Sequence, residues 1–226
     1  MKKYKPLLFA LPLLAALTAA PAYVAALAGQ DPIHEHGAKK APAQAAMDRP
    51  ALEESAVRKM VESGKPSAQN NILVLAGLSG EWHYTAAIWA KPGAEPKWTK
   101  GTIRNQMTLD DRFLSSTYIG SLDIGGHDLT INGQGLIGFD NARKSFTSVW
   151  ADTLTTGMMI GTGTYDRKKN VIKETGQFTN PLTGTAEKFR SELQFTDTDD
   201  YKRIIFAIDG SGKETKLMEF DYSKRG

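Results

Sequence analysis

Asp152 follows Phe146, Ser148 and Trp150 at every second position of one short stretch. In an extended strand that spacing puts all four side chains on one face, with the carboxylate at its end. A carboxylate beside aromatic rings can fix a ligand's polar group, or act as a general acid or base on a bound substrate. Further along, Phe189, Leu193 and Phe195 share one face of a strand, and Lys188, Arg190, Glu192 and Gln194 share the other. The charged face ordinarily meets solvent, but a ligand-binding barrel can reverse this, and Arg190 would then stabilise negative charge inside. Tyr118 could do the same through its hydroxyl. With Trp82, these residues form the candidate ligand-binding set: Trp82, Tyr118, Phe146, Trp150, Asp152 and Arg190. The plainer reading of the aromatic stripes is core packing, and that of Arg190 is a solvated face or a structural ion pair.

Other motifs are weaker. Gly133-Gln134-Gly135-Leu136-Ile137-Gly138 spells a dinucleotide fingerprint, but that motif must open a helix, and Phe139-Asp140-Asn141 reads as a turn. Glycines within a strand more often mark a bend or bulge. His34-Glu35-His36 offers two imidazoles in a polar linker, too few for a strong metal site. His83 and His127 stand alone. Asp197, Asp199 and Asp200 lack the glycine and glutamate of a calcium loop and read as a charged hairpin turn. The absence of cysteine removes disulfides, thiolate metal sites and thiol nucleophiles. No nucleophile elbow, zinc-protease helix or P-loop is present. Neither a metal nor a cofactor is expected.

The elements that must carry these residues begin after an unusual N-terminus. Lys2, Lys3 and Lys5 precede an apolar run from Leu7 to Ala20, and Ala26-Leu27-Ala28 offers a small-x-small cleavage site before Gly29. That order predicts a secretory signal over residues 1–28, and with it an exported protein, periplasmic or secreted. The run is shorter than the roughly 20 residues a membrane-spanning helix needs. Three of the 28 basic residues lie in this segment and none of the 25 acidic ones, so the predicted mature chain carries 25 of each. A nucleic-acid surface is not supported, and no membrane span is expected in the mature form. Residues 29–47, poor in apolar groups, predict a disordered linker. Residues 48–79 predict a helical lead-in: Asp48 as cap, Pro50 in the first turn, and Leu52, Ala56, Met60 and Val61 on one face, with a second short helix or turn from Asn71 to Leu78. From residue 80 to 226 the pattern is all-β. Strands are expected near 81–90, 98–109, 112–120, 128–139, 144–151, 157–166, 171–179, 185–196, 201–209 and 214–222. Asp140, Asp166 and Asp209 each end a strand at a similar turn, which Asp can close by bonding the backbone two residues on. Repeated hairpins favour an antiparallel up-and-down meander of about ten strands, and closing it into a barrel removes both edges.

Several stretches carry a family resemblance: Gly80-Glu81-Trp82, Lys91-Pro92-Gly93-Ala94-Glu95-Pro96, Arg112-Phe113-Leu114, Gly138-Phe139-Asp140-Asn141, Trp150-Ala151-Asp152, Gly163-Thr164-Tyr165-Asp166, and Pro181 with Thr183-Gly184. In this order, from about Leu78 to Tyr222, the chain resembles the domain of unknown function 1579 family. The resemblance implies a calycin-like, lipocalin-like barrel, in which Trp82 would close one end. It implies no activity, although calycins mostly hold small apolar ligands. Some relatives bind haem, and the lack of any histidine after His127 argues against that here. Where the family usually reads Gly before Arg-Phe-Leu, this chain has Asp111, which puts the local turn geometry in question.

Three functional readings stay open. The first is an exported barrel that binds a small apolar or amphipathic molecule. The second is an enzyme acting inside the barrel, with Asp152 as acid or base. The third is a structural or partner-binding module, hinted at by the helix and the linker. Nothing in the sequence decides the oligomeric state.

Overall fold

The computed structural model describes residues 53–124 and 126–224. The signal segment 1–28, the linker 29–47, the His34-Glu35-His36 string and the start of the lead-in lie outside the described residues. The chain from Lys65 onward belongs to one compact unit, and helix α1, Glu54–Ser63, to another. Helix α1 starts after Glu53, with Glu54 in its first turn and no side-chain cap. The expected capping residues Asp48 and Pro50 are outside the described range. Gly64 ends the helix, its N–H reaching the Met60 carbonyl at 2.9 Å. None of its residues is buried.

A wide helical turn, Ala68–Leu75, runs into a single 3-10 turn, Ala76–Leu78. The helix begins three residues earlier than the sequence suggests, because Ser67 caps it by accepting from Asn70 N at 3.2 Å. Its apolar side chains Val74, Leu75 and Leu78 are buried in the core of the barrel.

Ten strands follow: β1 Gly80–Ile88, β2 Lys97–Thr108, β3 Phe113–Ile124, β4 His127–Asp140, β5 Ser145–Asp152, β6 Met159–Asp166, β7 Val171–Thr179, β8 Ala186–Phe195, β9 Asp200–Ile208 and β10 Glu214–Lys224. Each pairs antiparallel with its sequence neighbour, and β1 pairs with β10 from Trp82↔Lys224 to Ile88↔Met218, which closes the barrel. The expected all-β, up-and-down architecture is the observed one. The largest difference in limits is β3, which continues four residues past Gly120 to Ile124. Gly120 looks like a breaker, yet it lies under the Tyr84 and Tyr118 hydroxyls, where a Cβ would collide, and buried Leu122 keeps the inward alternation going.

The aspartate turns form as expected. Asp140 Oδ1 accepts from Ala142 N at 2.8 Å, Asp166 Oδ1 from Lys168 N at 3.0 Å, and Asp209 Oδ1 from Ser211 N at 2.9 Å. Asp197 and Asp200 share a hairpin turn, with Asp197 N donating to the Asp200 carbonyl at 3.0 Å. At the β2–β3 turn, Asp111 is left-handed with φ 59°. That conformation explains why glycine suits the position and why aspartate, which tolerates it, can replace glycine.

Candidate functional site in the barrel

The strand alternation points one set of side chains into the barrel. At one end the interior is filled. Leu75, Leu78, Trp82, Leu114, Phe146, Ile172 and Tyr201 form part of a single buried core. Three polar contacts pin the helical plug beneath it. Asn71 Nδ2 donates to the Arg112 carbonyl at 2.7 Å, and both Trp82 Nε1, at 2.9 Å, and Asn105 Nδ2, at 3.0 Å, donate to the Leu78 carbonyl.

Above Leu78 the lumen opens into a cavity of about 180 Å³. Its wall is mainly apolar, with polar side chains at a few points: Asn105, Ser116, Ser148, Asp152, Glu174 and Arg203. A larger depression of about 770 Å³ lies on the outside, lined by outward residues such as His83, Lys100, Ile119 and Asp221, and it is open to solvent. The interior cavity, less open and largely apolar, is the better-built site.

The six residues singled out from the sequence divide into three groups. Tyr118, Trp150 and Asp152 come together in the cavity wall. The Tyr118 and Trp150 rings meet edge-to-face at 5.6 Å, and Asp152 Oδ2 accepts from Trp150 Nε1 at 3.0 Å. Trp82 and Phe146 lie in the buried core instead. Trp82 packs edge-on to Tyr201 at 4.7 Å, and Phe146 against Phe139 at 5.0 Å. Arg190 stands outside. Its guanidinium bonds Glu214 at 2.7 and 2.8 Å and Glu192 at 2.7 Å, and stacks over Phe206 at 4.1 Å. The expectation that Arg190 faces the lumen is corrected by this placement. Its strand follows the ordinary parity, with the charged face outward and Phe189 and Leu193 inward.

The glycines of the apparent dinucleotide motif have a different use. Trp150 lies flat against Gly133 and Gly135. A Cβ at Gly133 would collide with the indole, and one at Gly135 would sit 3.1 Å from Cε3. The motif is a seat for an aromatic ring, within strand β4.

A chain of stacked tyrosines crosses the interior. Tyr201 and Tyr222 stack at 4.2 Å, Tyr222 meets Tyr84 at 5.8 Å, and Tyr84 stacks on Tyr118 at 4.9 Å, where its hydroxyl donates to that of Tyr118. Burial pushes the Tyr84 phenol up to about 12 and raises Tyr118, Tyr201 and Tyr222 as well.

Two charged residues of the interior were not anticipated. Glu174, 4% exposed, accepts from Ser191 Oγ at 3.0 Å and from Arg203 Nη2 at 3.2 Å. Each occupies an inward position, Glu174 between Ile172 and Gly176 and Arg203 between Tyr201 and Ile205. The alternation that singled out Asp152 carries the same signal on β7 and β9.

The fold is a closed, ten-stranded antiparallel barrel with a helical plug at one end and a largely apolar cavity. The chain belongs to the DUF1579 family, described as a protein of unknown function, whose model matches residues 67–224. Among solved structures it is similar to Rv2717c from M. tuberculosis, at 16% identity over 72% of this chain and 100% of that one, with a TM-score of 0.51. It is also similar to the S-type phycobiliprotein lyase CPES from Guillardia theta, at 9% identity over 74% and 97%, with a TM-score of 0.48. No curated protein matches the chain.

Proposed function

We propose that this protein is an exported binder of a small, mainly apolar molecule about the size of one aromatic ring. The observation that carries the reading is the interior cavity of about 180 Å³, walled by Trp150, Tyr118 and aliphatic side chains. An apolar cavity of roughly 150 Å³ can hold benzene, so a single ring fits and a long acyl chain does not. Four polar features support binding over a simply filled core. Asp152 has no basic partner among the described residues, Asn105 Oδ1 and Glu174 Oε1 are buried without a bond there, and Arg203 keeps 29% of its side chain exposed.

Titration calorimetry with 2-phenylethanol tests the reading. Saturable one-to-one binding with a negative heat-capacity change is expected. Trp150→Ala should weaken that binding, because it removes the ring seated on Gly133 and Gly135. A series of neutral single-ring compounds that neither binds nor raises the melting temperature would leave the barrel as a scaffold acting through its outer surface.

A further inference from the structure

Resting on that reading, we infer that the cavity is built for a cation: a small aryl or arylalkyl ammonium whose charge sits at Asp152. The charged groups of the cavity wall are Asp152, Glu174 and Arg203. Glu174 and Arg203 neutralise each other across 3.2 Å. Asp152 has no basic partner among the described residues, so the wall carries one surplus negative charge.

The carboxylate is also held in place. Its Oδ2 accepts from Trp150 Nε1 and its Oδ1 from Leu154 N, each at 3.0 Å. Each oxygen accepts one hydrogen bond from the protein and keeps a further lone pair for a ligand. Two N–H donors, one on each oxygen, fix the direction of the carboxylate.

The aromatic residues beside it fit the same ligand. Trp150 turns one face to the glycine seat of β4, and Tyr118 meets the indole edge-to-face. Aromatic faces are electron-rich and attract an ammonium group, more strongly where water is excluded. An anion would find the opposite arrangement. The guanidinium it needs is already committed to Glu174, and Asp152 would repel it. The cavity volume leaves room for one ring beyond the charged group.

Three probes of nearly equal shape separate the possibilities: 2-phenylethylammonium, 2-phenylethanol and phenylacetate, titrated calorimetrically into the protein at neutral pH. The ammonium should bind roughly tenfold or more tightly than the alcohol, equivalent to about 1.4 kcal/mol, with phenylacetate weakest. In Asp152→Asn the ammonium should lose its advantage over the alcohol, and an unchanged melting temperature and circular dichroism spectrum of the variant show that the barrel is intact. The comparison within the unmodified protein needs no variant and stands even if Asp152→Asn does not fold. Equal binding of ammonium and alcohol, or tightest binding of phenylacetate, overturns the cation assignment and leaves a binding barrel. Failure of all three to bind overturns the binding reading itself.

Discussion

Glu174 is the charged side chain the barrel can least leave alone. Its side chain is 3% exposed, one carboxylate oxygen has no hydrogen bond among the described residues, and the other is shared between Ser191 and Arg203. Removing one partner of such a pair typically costs about 3 kcal/mol or more, because the other charge is stranded out of water. Arg203→Met should therefore lower the unfolding free energy by about 3 kcal/mol at neutral pH, read from urea unfolding. Replacing both residues, Glu174→Leu with Arg203→Met, should restore most of it, since two apolar side chains leave no charge to strand. A single variant as stable as the parent would show that the pair is not needed. The parity of these residues was legible in the sequence. Their meeting was not, because they stand on β7 and β9 with β8 between. The pairings Glu174↔Ser191 and Leu193↔Arg203 set the register that brings them together. Arg190 shows the same limit from outside, since its partner Glu214 lies two strands away.

Between strands, the stacked tyrosines tie β1, β3, β9 and β10 together through the interior. The fold favours their neutral phenols, because a phenolate in that setting has lost its water. Stability is therefore full below the unfolded-chain value of about 10 and is lost as the pH climbs toward 12, where Tyr84 ionises in the folded protein. The unfolding free energy from urea titrations should stay flat to about pH 9 and fall steeply above pH 10, by up to about 1.4 kcal/mol per pH unit for each buried tyrosine. A midpoint that does not move between pH 9 and 11 would mean that the phenols reach solvent. Turns and strands were the elements best read from sequence, because Asp140, Asp166 and Asp209 act within three or four residues of themselves. The ring seats could not be read this way. Gly133 and Gly135 make sense only with Trp150 across the ladder, at Gly135↔Trp150.

Taken whole, the barrel follows from ten short strands and the need to remove two edges. Its cavity does not, because volume depends on how inward side chains from opposite walls meet. A bulge between Lys216 and Met218 turns both Leu217 and Met218 toward the cavity, a detail no alternation could supply. A chain delivered through a cleaved signal should begin near Gly29, and N-terminal sequencing of the mature protein should return residues from that region. Recovery of Met1 or Lys2 instead would overturn the cleaved signal.

The seam between β1 and β10 also sets an order in time. Nine of the ten pairings join strands that follow one another, so they can form as each hairpin is made. The tenth joins Gly80–Ile88 to Glu214–Lys224 and waits for the last 11-residue strand. Until then a growing or threading chain is an open sheet with two bare edges, β1 and the newest strand, each able to pair with a neighbouring molecule. The last strand therefore contributes more than its own pairings: it seals both edges at once.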